Sequence, residues 1–169
     1  VHYTADDLWS WHFESVLELS SDRVIDACVH PVGNGRYKMW YKDERHDSHT
    51  YSAISDDLYN WEVVVEEINV NSHEGPNVFE FGGKKWMITD EWHGLGVYET
   101  EDFTHWNRQG AILFDGGKRS GDGVMANHAD VVVSGDNAYI FYFTHLFFLN
   151  ENRLNKAYVP TADDGRACI

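Results

Sequence analysis

The sequence predicts an all-β protein assembled from β-propeller blades, and two interleaved repeats carry that prediction. One is a phrase that returns three times: Ala5-Asp6-Asp7-Leu8-Trp9-Ser10-Trp11, Ser55-Asp56-Asp57-Leu58-Tyr59-Asn60-Trp61 and Thr100-Glu101-Asp102-Phe103-Thr104-His105-Trp106. Its Trp residues lie 50 and then 45 positions apart, a period that suits one propeller blade better than the shorter helical repeats. The other is a set of aromatic and β-branched runs that follow a glycine turn, at residues 35–41, 83–89 and 135–142. Each is preceded by another apolar run, at residues 27–29, 78–79 and 131–133, so each pair reads as a hairpin.

Taken in order, residues 1–20 read as the end of a preceding blade, with 1–11 as its closing strand. Residues 21–68 form a blade containing Asp26. Its inner run holds Cys28, which is expected to be a buried free thiol, because two cysteines, Cys28 and Cys168, do not make a disulfide framework. Residues 69–115 form the blade containing Glu74, and 116–169 the blade containing His128. Within the last, Gly116-Gly117-Lys118-Arg119-Ser120-Gly121-Asp122-Gly123 lacks the preceding strand and following helix of a phosphate loop and is expected to be a rim loop between blades. Residues 150–156 are polar and loop-like. Trp11, Trp61 and Trp106 recur once per blade and are expected in the core. Three blades plus edges cannot close a ring, so an incomplete ring is expected.

Composition excludes several partners. The 169 residues carry 28 acidic and 13 basic side chains, a net charge of −15, which argues against nucleic acid and anionic membrane. No run of 18 apolar residues predicts a membrane helix. Fifteen per cent aromatic content with 7 Trp supplies large apolar contacts for stacked sheets.

Asp26, Glu74 and His128 each stand before the inner run of a blade, 11, 12 and 11 residues ahead of the aromatics Tyr37, Trp86 and Tyr139. Inner strands surround the propeller axis, so these residues are expected to share one pocket. Two carboxylates and an imidazole facing one cavity suit catalysis, since enclosed acids are costly without a partner or a task; the alternative is that each caps its own strand. Asp43-Glu44-Arg45-His46 and Asp90-Glu91-Trp92-His93 lie 47 positions apart. They are expected to be solvated loops, no third convergent ligand being visible in either, and no metal site is assigned. Trp92, with His93 beside it, is set apart as a candidate sugar-binding residue near Glu74, its indole either stacking on a sugar or packing.

These residues resemble a known family. Asp26-Ala27-Cys28-Val29, Glu74-Gly75-Pro76-Asn77-Val78-Phe79, Asn127-His128-Ala129-Asp130-Val131 and the recurring Asp-Leu-x-x-Trp are similar to the five-bladed β-propeller glycoside hydrolases, family 43 and its relatives, over roughly residues 8–158. The resemblance implies that Glu74 is the general acid, that Asp26 tunes its pKa and orients the sugar, and that His128 lies near the axis, with Ca²⁺ a possible neighbour and no other cofactor. It also implies a catalytic Asp on an inner strand about two blades before Asp26, which this sequence does not contain.

The expected function is hydrolysis of glycosidic bonds in plant or algal oligosaccharides by an inverting acid/base mechanism whose base lies outside this chain. The alternative is a non-catalytic carbohydrate-binding propeller fragment. An acid at Glu74 would need its pKa raised by burial and by Asp26. The expected partners are an oligosaccharide and, through open blade edges, further copies of the chain. Extracellular or periplasmic localisation is implied by the resemblance alone.

Overall fold

Two four-stranded antiparallel blades stand side by side, flanked by parts of two more. The computed structural model describes residues 1–115 and 125–145 and the strand 167–168, and among them every regular element is a strand. The first complete blade comprises β3 (Val24–Gly33), β4 (Arg36–Asp43), β5 (His49–Ser55) and β6 (Glu62–Ile68) in that order. The second comprises β7 (Glu74–Phe81), β8 (Lys84–Asp90), β9 (Leu95–Thr100) and β10 (Asn107–Ile112). Before them lies a two-stranded ribbon, β1 (His2–Thr4) with β2 (His12–Ser15). After them come β11 (Asn127–Ser134), β12 (Asn137–His145) and β13 (Ala167–Cys168). Strand β7 contacts both β3 and β11, so the first strands of the three blades are neighbours. The architecture is the expected incomplete propeller, though the last blade shows three strands among the described residues. The segments 116–123 and 150–156 lie outside the described residues, as does the side chain of Cys168.

The threefold phrase is a turn with a local cause. It joins β1 to β2, β5 to β6 and β9 to β10, so the first copy connects two strands of an outer hairpin, where the sequence suggested one closing strand. In each copy one Asp carboxylate accepts two backbone N–H groups: Asp7 from Trp9 and Ser10, Asp57 from Tyr59 and Asn60, Asp102 from Thr104 and His105, all at 2.7–2.9 Å. These bonds hold the Asp57 and Asp102 carboxyls well below the usual carboxylate range. The next residue, Leu8, Leu58 or Phe103, takes a left-handed conformation with φ of 62°, 67° or 61°. Asp is favoured because its short carboxylate reaches its own downstream amides.

The Trp that closes the phrase is not a uniform core residue. Trp11 is 55% exposed, and Trp61 only partly packs against the Met39 and Tyr41 cluster. Their indoles donate 3.0 Å bonds to the carbonyls of Leu8 and Leu58, pinning the turn. Trp106 instead packs against the blade interface and donates to Glu67 at 2.8 Å. The phrase recurs because the turn does, and only the copy lying between blades is drawn inward.

Apolar side chains fill both blade interfaces. Trp40 and Ile68 of the first complete blade pack on Val78, Met87, Tyr98 and Phe103 of the second. Ile88 and Leu95 of the second pack with Ala126, Val131, Ile140 and Tyr142 of the third. The opposite face of the third blade exposes Val132, Tyr139 and Phe141. Cys28 is a free, half-buried thiol on β3, its sulfur accepting the Val78 N–H at 3.3 Å, and burial pushes its pKa up.

A buried charge crosses the first interface. The Glu67 carboxylate is fully enclosed and pairs with Lys38, whose ammonium also donates to Phe103 O at 2.7 Å across the blades. Glu67 further accepts from Trp40 Nε1 at 2.5 Å, Trp106 Nε1 at 2.8 Å and Ser52 Oγ at 2.8 Å. Such a pair is tolerable only when fully hydrogen-bonded, and loss of one partner strands the other charge. Glu67→Gln should therefore lower the unfolding free energy by roughly 3–5 kcal/mol, read from the urea midpoint. An unchanged midpoint would show that the pair does not hold the blades.

Candidate active site

The three inner strands are broken at the same place. Pairing shifts register between Ile25 and Cys28, between Glu74 and Asn77, and between Asn127 and Asp130. The first residue in each gap is left-handed: Asp26 with φ 56°, Gly75 with φ 58° and His128 with φ 38°. A bulge of this kind re-aims side chains at a strand end. Glu74 is therefore not the register equivalent of Asp26 and His128. It stands one residue earlier, level with Ile25 and Asn127, and Gly75 takes the strained position. Glycine takes the positive φ there without the strain that Asp26 and His128 carry, and a Cβ would press on the His128 ring at 3.0 Å.

The bulges bring all three expected residues together. His128 Nε2 lies 3.4 Å from Asp26 Oδ2, and His128 Nδ1 lies 3.6 Å from Glu74 Oε1. The imidazole stacks near Phe143 at 6.3 Å between ring centroids and stays 40% exposed. Asp26 Oδ2 also accepts the Gly75 N–H at 3.2 Å, tying the carboxylate of one blade to the glycine of the next.

Two further residues enter from the ends of the second strands. Lys42 Nζ donates to Glu74 Oε2 at 2.8 Å and lies 3.8 Å from Glu44. Asp90 is buried, accepts the His128 N–H at 2.9 Å, the Trp92 N–H at 2.7 Å and the Asn127 amide at 3.2 Å, and lies 3.9 Å from His128 Nδ1. The expectation that the two acidic-His phrases are solvated loops is thus corrected at their first residues. Asp43 is equally buried, accepting from Ser20 and Ser21, and although burial pushes its carboxyl up, these hydroxyls and His46 hold it at about 2. Strand β4 runs two residues, and β8 one residue, further than the polar sequence suggested.

Trp92 and His93 part company. The Trp92 indole donates to Glu74 Oε1 at 2.9 Å, with Lys42 5.3 Å from its ring. His93, exposed on the same turn, faces a neighbouring cavity with Asn71, Glu91 and Arg108 and does not join the carboxylates.

The surroundings of Glu74 favour its charged form. Burial pushes its pKa up, but the hydrogen bonds from Lys42 and Trp92 and the positive charge of Lys42 outweigh it and hold the carboxyl below its ordinary value. Glu74 rests as a carboxylate. As for a cation, ligand atoms of Glu74, Asp90 and His128 lie within 4.8 Å of one another. Asn127, whose amide nitrogen donates to Asp90, keeps its buried Oδ1 without a hydrogen-bond partner among the described residues. Oxygen donors of this kind fit a hard cation such as Ca²⁺.

The sequence matches no protein-family model and no curated protein. Its fold does match solved structures of glycoside hydrolases. A family 117 glycoside hydrolase from the marine bacterium Zobellia galactanivorans aligns over 73% of this chain and 48% of its own, with 15% identity and a TM-score of 0.62. An α-L-arabinofuranosidase from Lactobacillus brevis aligns over 83% and 51%, with 15% identity and a TM-score of 0.61. A thermostable family 43 glycoside hydrolase aligns over 72% and 42%, with 19% identity and a TM-score of 0.55. The chain thus has the β-propeller fold of these glycoside hydrolases and spans about half the length of each.

Because the Glu74 carboxyl is depressed, its pair with Lys42 contributes stability in full above the ordinary value of 4.5 and loses it as pH falls through the lower folded value. Lys42→Ala should raise the Glu74 pKa toward its ordinary value and shrink that pH-dependent contribution. Carbon-detected NMR titration of the Glu74 carboxyl measures it, and an unmoved titration would show that Lys42 does not set the charge.

Proposed function

We propose that this chain carries the acid half of an inverting glycoside hydrolase site, with Glu74 donating a proton to the leaving oxygen. Asp26 orients the sugar and tunes Glu74, and His128 stands between the two carboxylates. The observation that supports this most is the convergence of Asp26, Glu74 and His128 from three separate blades within 3.4–3.6 Å. Asp90 holds His128 and the Trp92 turn through backbone hydrogen bonds and acts as a positioning residue. An inverting reaction also needs a base roughly 6.5–9.5 Å from the acid, on the other face of the sugar; in this reading it comes from outside these 169 residues.

For Glu74 to act as an acid its ion pair must open. Glu44 offers Lys42 a second carboxylate 3.8 Å away, so a sugar displacing the ammonium leaves Glu74 out of water and without its cation, where the protonated form gains. A Ca²⁺ ion held by Glu74, Asp90 and His128 would keep Glu74 ionised, so it belongs with a binding role for this carboxylate and not with the acid role. When bound it supplies positive charge for sugar hydroxyls.

The Lys42–Glu74 pair also supports the second reading, a carbohydrate-binding propeller without catalysis, because a permanently ionised Glu74 accepts hydrogen bonds from sugar hydroxyls but donates none. Glu74→Gln separates the readings. It should remove about 10²–10⁴ of hydrolysis, the usual worth of a general acid, with melting nearly unchanged. The assay uses arabino-, xylo- and fructo-oligosaccharides, with this chain completed by whatever segment supplies the base, before and after chelation and calcium return. Equal activity of the variant and the parent would remove Glu74 from the acid role.

A further inference from the structure

A cavity of about 510 Å³ is lined by Asn71, Glu91, His93, Arg108, Ala111 and Phe114. This volume lies in the range of small-ligand sites. Trp92 connects it in sequence to the carboxylate cluster: the indole donates to Glu74, while its chain neighbours Glu91 and His93 line the cavity. Asn71, three residues before Glu74, brings the loop that enters β7 to the same place.

The lining is arranged by one partly buried acid. Glu91 accepts from Tyr98 Oη at 2.9 Å and from Arg108 Nε and Nη2 at 3.1 and 2.6 Å. Gly96 leaves the space its carboxylate fills. Burial pushes the Glu91 pKa up, but the Arg108 and Tyr98 bonds bring it below its ordinary value, so the Glu91–Arg108 pair is charged and internally neutral. Arg108 is thereby fixed through two of its nitrogens, with Nη1 left over. The His93 ring and the Asn71 amide have no hydrogen-bond or ion-pair partner among the described residues.

Those three groups supply donors and acceptors, and Phe114, 43% exposed, supplies an aromatic surface. Polar groups beside an aromatic surface suit a sugar, whose ring pairs hydroxyls with an apolar C–H face. Charge decides which kind. The Arg108 charge is met by Glu91, and a chain with a net charge of −15 repels anions. We propose that this cavity is a second sugar subsite, holding a neutral saccharide unit beyond Trp92 from the unit that meets Glu74. The inference rests on the carbohydrate reading above and adds to it the length of ligand that the chain binds.

The test is titration calorimetry with mono- and trisaccharides of the arabino, xylo and fructo series. It uses the parent chain, Glu74→Gln, His93→Ala and the double variant Asn71→Ala/His93→Ala. His93 is exposed and unpaired, so its removal leaves the fold intact, which circular dichroism checks. The double variant should weaken trisaccharide binding about tenfold, the worth of one or two hydrogen bonds, with monosaccharide affinity unchanged and His93→Ala intermediate. Equal trisaccharide affinity in parent and double variant overturns the subsite, and if Glu74→Gln alters binding in that case, the site at Glu74 stands. If no saccharide binds the parent chain, both readings fall.

Discussion

One face of strand β4 carries Lys38, Trp40 and Lys42, and the contact between the two complete blades depends on it. Alternate residues of a strand share a face, and here all three point toward the next blade. Lys38 and Trp40 meet Glu67, while Lys42 meets Glu74. The first set is enclosed and only bridges blades. The second lies at the end of the strand, where Glu74 is one-fifth exposed. The same cation-and-carboxylate chemistry thus serves as a fastening at one end and as a site at the other. The difference lies in access, since a sealed pair cannot exchange partners and one at a strand end can.

The second constraint is the repeated left-handed bulge. A regular strand would send alternate side chains to opposite faces, and residues at the three strand starts would have no reason to meet. By breaking register at Asp26, Gly75 and His128, the chain turns Asp26 and His128 toward a carboxylate that stands one residue earlier on the strand between them. The conformational cost at Asp26 and His128 is of the order of 1–3 kcal/mol each, and it is offset by bonds to the bulges themselves, from Asp26 to Gly75 N–H and from Asp90 to His128 N–H.

Much of this was legible because blades repeat. The Asp-Leu-x-x-Trp phrase reported a turn whose carboxylate, left-handed residue and indole are all local, and local features survive in sequence. The gathering of Asp26, Glu74 and His128 followed from equivalent strand starts. What escaped depended on pairing. Lys42 and Asp90 sit level with Ile25 and Glu74 across their hairpins, and nothing in the order of residues gives that register once a bulge intervenes. The 47-residue echo of Asp43 and Asp90 was a true signal, but polar composition suggested solvent where the structure has buried, hydrogen-bonded acids. The charge of Glu74 was not legible for the same reason: Asp26 was visible as a neighbour and Lys42 was not. Trp11 was misplaced because recurrence identifies a shared turn and says nothing about what covers it.

The account turns on whether Glu74 leaves Lys42 to meet a sugar. The most direct measurement is a crystal structure of the chain with a bound oligosaccharide. The account predicts a glycosidic oxygen within hydrogen-bond distance of Glu74, the Lys42 ammonium moved onto Glu44, and Asp26 and His128 in contact with the same sugar. A saccharide bound elsewhere on the blades, with the Lys42–Glu74 pair undisturbed, would contradict it.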